Sequence, residues 1–158
     1  AGTARLLARA GYLPVALCGR DERLRRRLAA EPGAVALGWV DDVPGLMAAA
    51  RALVDNAAGQ TAVQALAAGL PVVGYRPIPG HGAAGVRRMA AEGLTDHAPD
   101  PGRLVASLDA LTADGPVRER RIAVGRALFR ADAAACVASA VPGPAPGPAA
   151  PASRARGR

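Results

Sequence analysis

Apolar and polar residues come in regular blocks along this chain. Residues 3 to 11, "TARLLARAG", carry apolar side chains at helical spacing and stop at Gly11, which predicts a helix. "LPVALCG" (13–19) is a continuous apolar run, the pattern of a strand buried on both faces of a parallel sheet. Asp21 then offers an N-cap to "ERLRRRLAAE", with Leu24 and Leu28 four apart on its inner side. The cycle repeats: "AVALGWV" (34–40) reads as a strand, "VPGLMAAAR" (43–51) as a short helix opened near Pro44, and "ALVDN" (52–56) as a strand. A helix follows, stopped by Gly69 and Pro71, with Val63, Leu66, Ala67 and Leu70 expected inward.

The second half keeps the rhythm. "PVVGY" (71–75) is a strand, "RPIPGHG" a loop, and a helix from about residue 83 to 92 turns Val86, Met89 and Ala90 inward. "LTDHA" is a weak strand. Asp100 and Pro101 open a helix with Leu104, Val105, Leu108 and Leu111 inward, and residues 116–140 read as a final helix or helix pair bent at Gly125. Strands and helices alternating at this spacing predict an α/β fold, a Rossmann-like doubly wound parallel sheet. Such sheets bind ligands at the carboxyl ends of their strands. From Val141 the pattern ends: "VPGPAPGPAAPASRARGR" holds five prolines and is expected to be a disordered tail behind an ordered domain of residues 1–140.

Composition narrows the picture. All 20 basic side chains are arginine and the net charge is +7. Arg154, Arg156 and Arg158 account for three of those charges. Aromatic residues are only Tyr12, Trp39, Tyr75 and Phe129, too few and too scattered to interleave with arginine as base-stacking platforms, so nucleic acid is not expected as a partner. Arg25–Arg27 and the Arg87–Arg88 pair read as solvated helix faces, with an anionic patch as the alternative. Cys18 and Cys136 do not form a disulfide framework, and no apolar run reaches the length of a membrane span. Zinc spacings, a P-loop, GxGxxG and a nucleophile elbow are all missing, which argues against NAD dehydrogenases and P-loop NTPases.

The candidate chemistry lies where predicted strands end. In "DNAAGQTAVQ" a helix starts after Ala57, Ala58 and Gly59, residues that leave the backbone bare. A helix N-terminus carries unpaired N–H groups and about half a positive charge, so this turn suits a diphosphate, with Thr61 adding a hydroxyl donor. Small residues there also suit close packing of helix on sheet. Gln64, one turn on and on the side of Gln60, is placed for a ribose contact or for simple exposure. Trp39 precedes Asp41 and Asp42, of which the pair reads best as a helix cap. His81 sits in the "RPIPGHG" loop, a setting for a shaped binding site; His97 ends a weak strand.

The order of "LCGRDERLRRRL" followed by "LGWVDDVPGLMAAARALVDNAAGQTAVQALAAGLPVVGYRPIPGHG" resembles the carboxyl-terminal, donor-binding half of a GT-B glycosyltransferase. The resemblance is closest to glycosyltransferase family 28, which includes the peptidoglycan N-acetylglucosaminyl transferase MurG and the monogalactosyldiacylglycerol synthases. It covers roughly residues 3–135. It implies a UDP-sugar as substrate, no cofactor and no metal. The implied donor contacts are Ala57, Ala58, Gly59, Gln60 and Thr61 for the diphosphate, Gln64 for the ribose, and Trp39 with Val40 for the uracil. Pro79, Gly80, His81 and Gly82 match the neighbourhood of the donor sugar.

The sequence also departs from the family. Gln64 stands where a Glu is usual, exchanging a charge-assisted contact for a neutral one at a cost of ~1 kcal/mol. Gly85 stands where an Asn is common, and the turn reads Ala-Ala-Gly in place of Ser/Ala-Gly-Gly or Ser-Gly-Ala. The family's first strand, its Gly-rich loop and its amino-terminal acceptor domain have no counterpart before residue 3. The resemblance therefore implies an amino-terminally truncated donor domain with no catalytic residue of its own. It would be inactive alone and work with an acceptor domain or partner subunit, in the cytoplasm, with peripheral membrane contact open. A non-catalytic nucleotide-binding subunit and a decayed domain are the alternatives.

Overall fold

The computed structural model describes residues 2–129 and 132–140; the Pro-rich tail lies outside them. The chain forms α1 (Gly2–Arg9), β1 (Val15–Leu17), α2 (Glu22–Ala29), β2 (Val35–Leu37), α3 (Val43–Ala49), β3 (Leu53–Asp55) and α4 (Gln60–Ala68). Then come β4 (Val72–Tyr75), α5 (His81–Ala91), β5 (Asp96–Ala98), α6 (Pro101–Thr112), α7 (Pro116–Ala127) and α8 (Ala133–Ala140). Aspartates set three of the helix starts. Asp21, Asp42 and Asp100 each accept a backbone N–H from the first turn of α2, α3 and α6, the service an N-cap performs. Gly69 ends α4 in the left-handed conformation, where a side chain would be strained.

All strand pairs are parallel, but they form two sheets, β1-β2 and β3-β4-β5, with no ladder between β1 and β3. The expected continuous sheet is thus split, because no strand among the described residues bridges those two edges. The larger sheet has helices on both faces. One face packs Val73, Tyr75 and Ala98 on Leu104, Leu108 and Leu111 of α6 and Leu7 of α1. The other packs Val72 on Ala62, Ala65 and Leu66 of α4 and Met47 of α3. β4 is buried along its whole length, as its unbroken apolar sequence requires. A smaller core joins Ala4 of α1, Cys18 and Leu28 under the two-stranded sheet.

Three expectations shift. The buried face of α4 is Ala62, Ala65 and Leu66, while Val63 is half-buried and Ala67 exposed. Leu66 and Leu70 are buried as expected, and the small Ala62 and Ala65 beside Leu66 let the helix press against the sheet. α5 begins at His81 and not near 83, so "HG" belongs to its first turn. The final helices do break into a pair, but past Ala127 and not at Gly125. Gly125 is buried inside α7, where an added Cβ would lie 3.1 Å from Leu66 Cδ2, so it marks a close helix contact.

Candidate functional site

The segments singled out at 56–61 and 76–82 meet. Ile78 donates its N–H to the Asn56 carbonyl at 2.8 Å, tying the loop after β4 to the turn after β3. Two glycines allow the approach. A Cβ at Gly82 would lie 3.3 Å from Asn56 O, and one at Gly85 would lie 3.2 Å from Ala58 Cβ. The N-termini of α4 and α5 thereby converge on one junction, and neither has an acid in its first turn. Gly85 has a further meaning here: the longer Asn side chain that the resemblance leads one to expect would push against Ala58.

Each helix start is bare. Gly59 and Gly80 are the N-caps and supply no side chain. Within α4 the backbone ladder begins with Val63 N–H to Gly59 O, so the N–H groups of Gln60, Thr61 and Ala62 have no partner inside the helix. Gln60, Thr61, Gln64, Pro79, Gly80 and His81 are all exposed.

Asp55 alters the electrostatics of this turn. Its Oδ2 accepts the N–H of Ala57 at 3.0 Å and of Ala58 at 2.6 Å. Two of the five residues expected to face a diphosphate therefore already give their donors to a carboxylate. The bonds also hold Ala58 at φ 52, in the left-handed region that costs an alanine about 1 kcal/mol. Sequence reasoning missed this residue. The signal was present, since an Asp two residues before a run of small residues is the composition of an Asx turn.

Trp39 and Val40 lie just past the end of β2, the edge strand of the two-stranded sheet. Trp39 is 65% exposed. Its indole N–H donates to Asp41 at 2.7 Å, and the Arg20 guanidinium lies 5.1 Å from the ring centroid. Asp41 thus orients the tryptophan while Asp42 caps α3. Val40 is half-buried. His97 is half-buried on β5, opposite Gly74 of β4.

Parallel strands, helices on both faces of the larger sheet and loops clustered at its carboxyl end define the class. This is a Rossmann-like α/β domain, the architecture of one half of a GT-B glycosyltransferase. Among solved structures it is similar to WaaG, a glycosyltransferase involved in lipopolysaccharide biosynthesis, with 22% sequence identity and a TM-score of 0.56. The match covers 84% of this chain and 40% of WaaG, so the chain spans about two fifths of that protein's length. No family model and no curated protein sequence matches the chain.

Proposed function

We propose that this chain is the donor-binding half of a UDP-sugar glycosyltransferase. The observation that carries the reading is the convergence of two acid-free helix N-termini, α4 and α5, on one loop junction at the sheet's carboxyl end. Two partial positive charges and free N–H groups at Gln60 and Thr61 suit the diphosphate, which needs stabilisation as it leaves. Gln64 would reach the ribose, Trp39 and Val40 the uracil, and Pro79 to Gly82 the sugar. The transfer would invert the donor carbon and use a lipid or lipid-linked acceptor held by a separate domain or subunit, in the manner of family 28. Among the described residues no helix is long and apolar enough to cross a membrane, so any membrane contact of this part would be peripheral if made by its helices.

Calorimetry of the 158-residue chain with UDP tests this. Gly59 has open space at its Cβ, so Gly59→Glu places a carboxylate at the mouth of the turn without disturbing packing. The expected result is UDP binding that Gly59→Glu abolishes and Gln64→Ala weakens. A folded chain that binds no UDP refutes the reading. That outcome would favour a second one, a domain that keeps the fold without the ligand, for which the Asp55 carboxylate on the Ala57 and Ala58 N–H groups is the specific observation.

A further inference from the structure

A diphosphate seated where α4 and α5 converge would meet a negative charge already in place. The Asp55 carboxylate lies against the Ala57 and Ala58 N–H groups, within the turn itself. It is half-buried, and among the described residues no cationic side chain pairs with it.

The surroundings offer little to offset that charge. Residues 56–61 and 77–82 contain no arginine, and the chain has no lysine. Arg76, just ahead of the loop, lays its guanidinium over the Tyr75 ring, 5.4 Å from the centroid. Its Nη1 is 3.5 Å from the place of a Cβ on Gly2 in α1. Tyr75 belongs to the core of α1 and α6, whereas α4 packs on the other face of the sheet, so this cation is turned away from the junction. His81 is exposed at the start of α5, and an ordinary imidazole is mostly neutral above about pH 7. The remaining positive charge is that of two helix ends, about half a unit each. Asp55 and a diphosphate together outweigh it.

A carboxylate beside phosphate oxygens is the donor set of a hard divalent cation. Mg²⁺ is commonly held by one or two carboxylates together with substrate phosphates, and keeps several waters. Asp55 has an oxygen to give. Both turn bonds go to Oδ2, which fixes the carboxylate, and Oδ1 accepts no hydrogen bond among the described residues. The chain does not assemble a cation site by itself, since no group of three His, Cys, Asp or Glu converges among the described residues. The cation must therefore arrive with the diphosphate.

We propose that Asp55 is a metal ligand of the donor site, its Oδ1 binding a divalent cation of the Mg²⁺ class that the donor diphosphate chelates. Water fills the other positions of the cation. Asp55 then selects the metal complex of the nucleotide over the free nucleotide. The inference rests on the donor-site reading, and it departs from the metal-free seat that the resemblance implies.

Calorimetry with UDP, in magnesium and in EDTA, tests this at about pH 8, where an ordinary histidine is neutral. The expected result is binding ~10-fold or more tighter in magnesium than in EDTA. Asp55→Asn keeps an oxygen for the turn and removes the charge. It should bind UDP equally in the two buffers, and in EDTA more tightly than the unaltered chain. With Mn²⁺ and UDP both present, the NMR signals of the Ala57 and Ala58 amides in the unaltered chain should broaden, and Mn²⁺ without UDP should leave them sharp. That measurement stands even if the variant folds poorly. Equal UDP affinity of the unaltered chain in both buffers overturns the proposal and leaves the donor-site reading in place. So does a magnesium effect of unchanged size in Asp55→Asn, which would put the cation on the nucleotide alone, or broadening centred on Asp41 beside Trp39. A folded chain that binds UDP in neither buffer removes the donor-site reading and the proposal with it.

Discussion

Asp55 shows how one side chain sets both a turn and its field. It satisfies two N–H groups that would otherwise be free for an anion, and it brings a negative charge to the same place. Asp55→Ala should cost about 1–3 kcal/mol in chemical denaturation, the loss of two charge-assisted bonds. If the turn is a phosphate seat, the same change should tighten UDP binding in calorimetry, by releasing donors and removing repulsion. Gly74 is a second residue whose role is steric. A Cβ there would lie 2.4 Å from Val86 Cγ1, and Val86 is buried with a stiff branched side chain. Gly74→Ala should destabilise the chain by about 1–3 kcal/mol, and Val86→Ala in that background should restore part of the loss. Neither residue announces its partner in the sequence, because the partner arrives from another element.

At the scale of elements, local chemistry and long-range contact divide the work. Helices α2, α3 and α6 start where their aspartates predict, since an N-cap bond spans only three residues. The orientation of α4 and the use of Gly125 are set by α7 and the sheet, so no local pattern reveals them. Ion pairs between elements follow the same logic. Arg5 of α1 donates from Nε to Glu31 just after α2 at 2.7 Å, and that hydrogen bond, with the charge behind it, holds the Glu31 carboxyl below its ordinary pKa of 4.5. A carboxyl with a lowered folded pKa stabilises the fold above its unfolded value, and the stabilisation is lost as pH falls through the folded value. Melting temperature should therefore drop below about pH 4.5, and Glu31→Gln should flatten that acid limb. Arg121 of α7 also pairs with Asp96 of β5, where both side chains are half-buried, and it donates to the Gly93 carbonyl. Arg121→Met should destabilise the chain in urea denaturation, because it strands a half-buried carboxylate and takes the donor from the Gly93 carbonyl.

For the whole molecule, the α/β class was legible because short apolar runs and amphipathic segments alternate without interruption. The bareness of the candidate site was legible too, as a lack of charged side chains after β3. The split between β1 and β3 follows from which strands are present to pair, a property of the assembled sheet and not of any one segment. α1 contributes to both resulting parts, with Ala4 in the core under β1-β2 and Leu7 in the core of β3-β4-β5. Cooperativity therefore passes largely through α1 and the Tyr12 that follows it, which packs on the larger core and donates to Asp109 of α6. Leu7→Ala, at about 2–4 kcal/mol, should do more than lower the melting temperature. It should separate the heat-absorption peak into two, with β1-β2 melting first, so that the calorimetric enthalpy exceeds the van't Hoff enthalpy. The chain would then behave as two folding units that share a hinge.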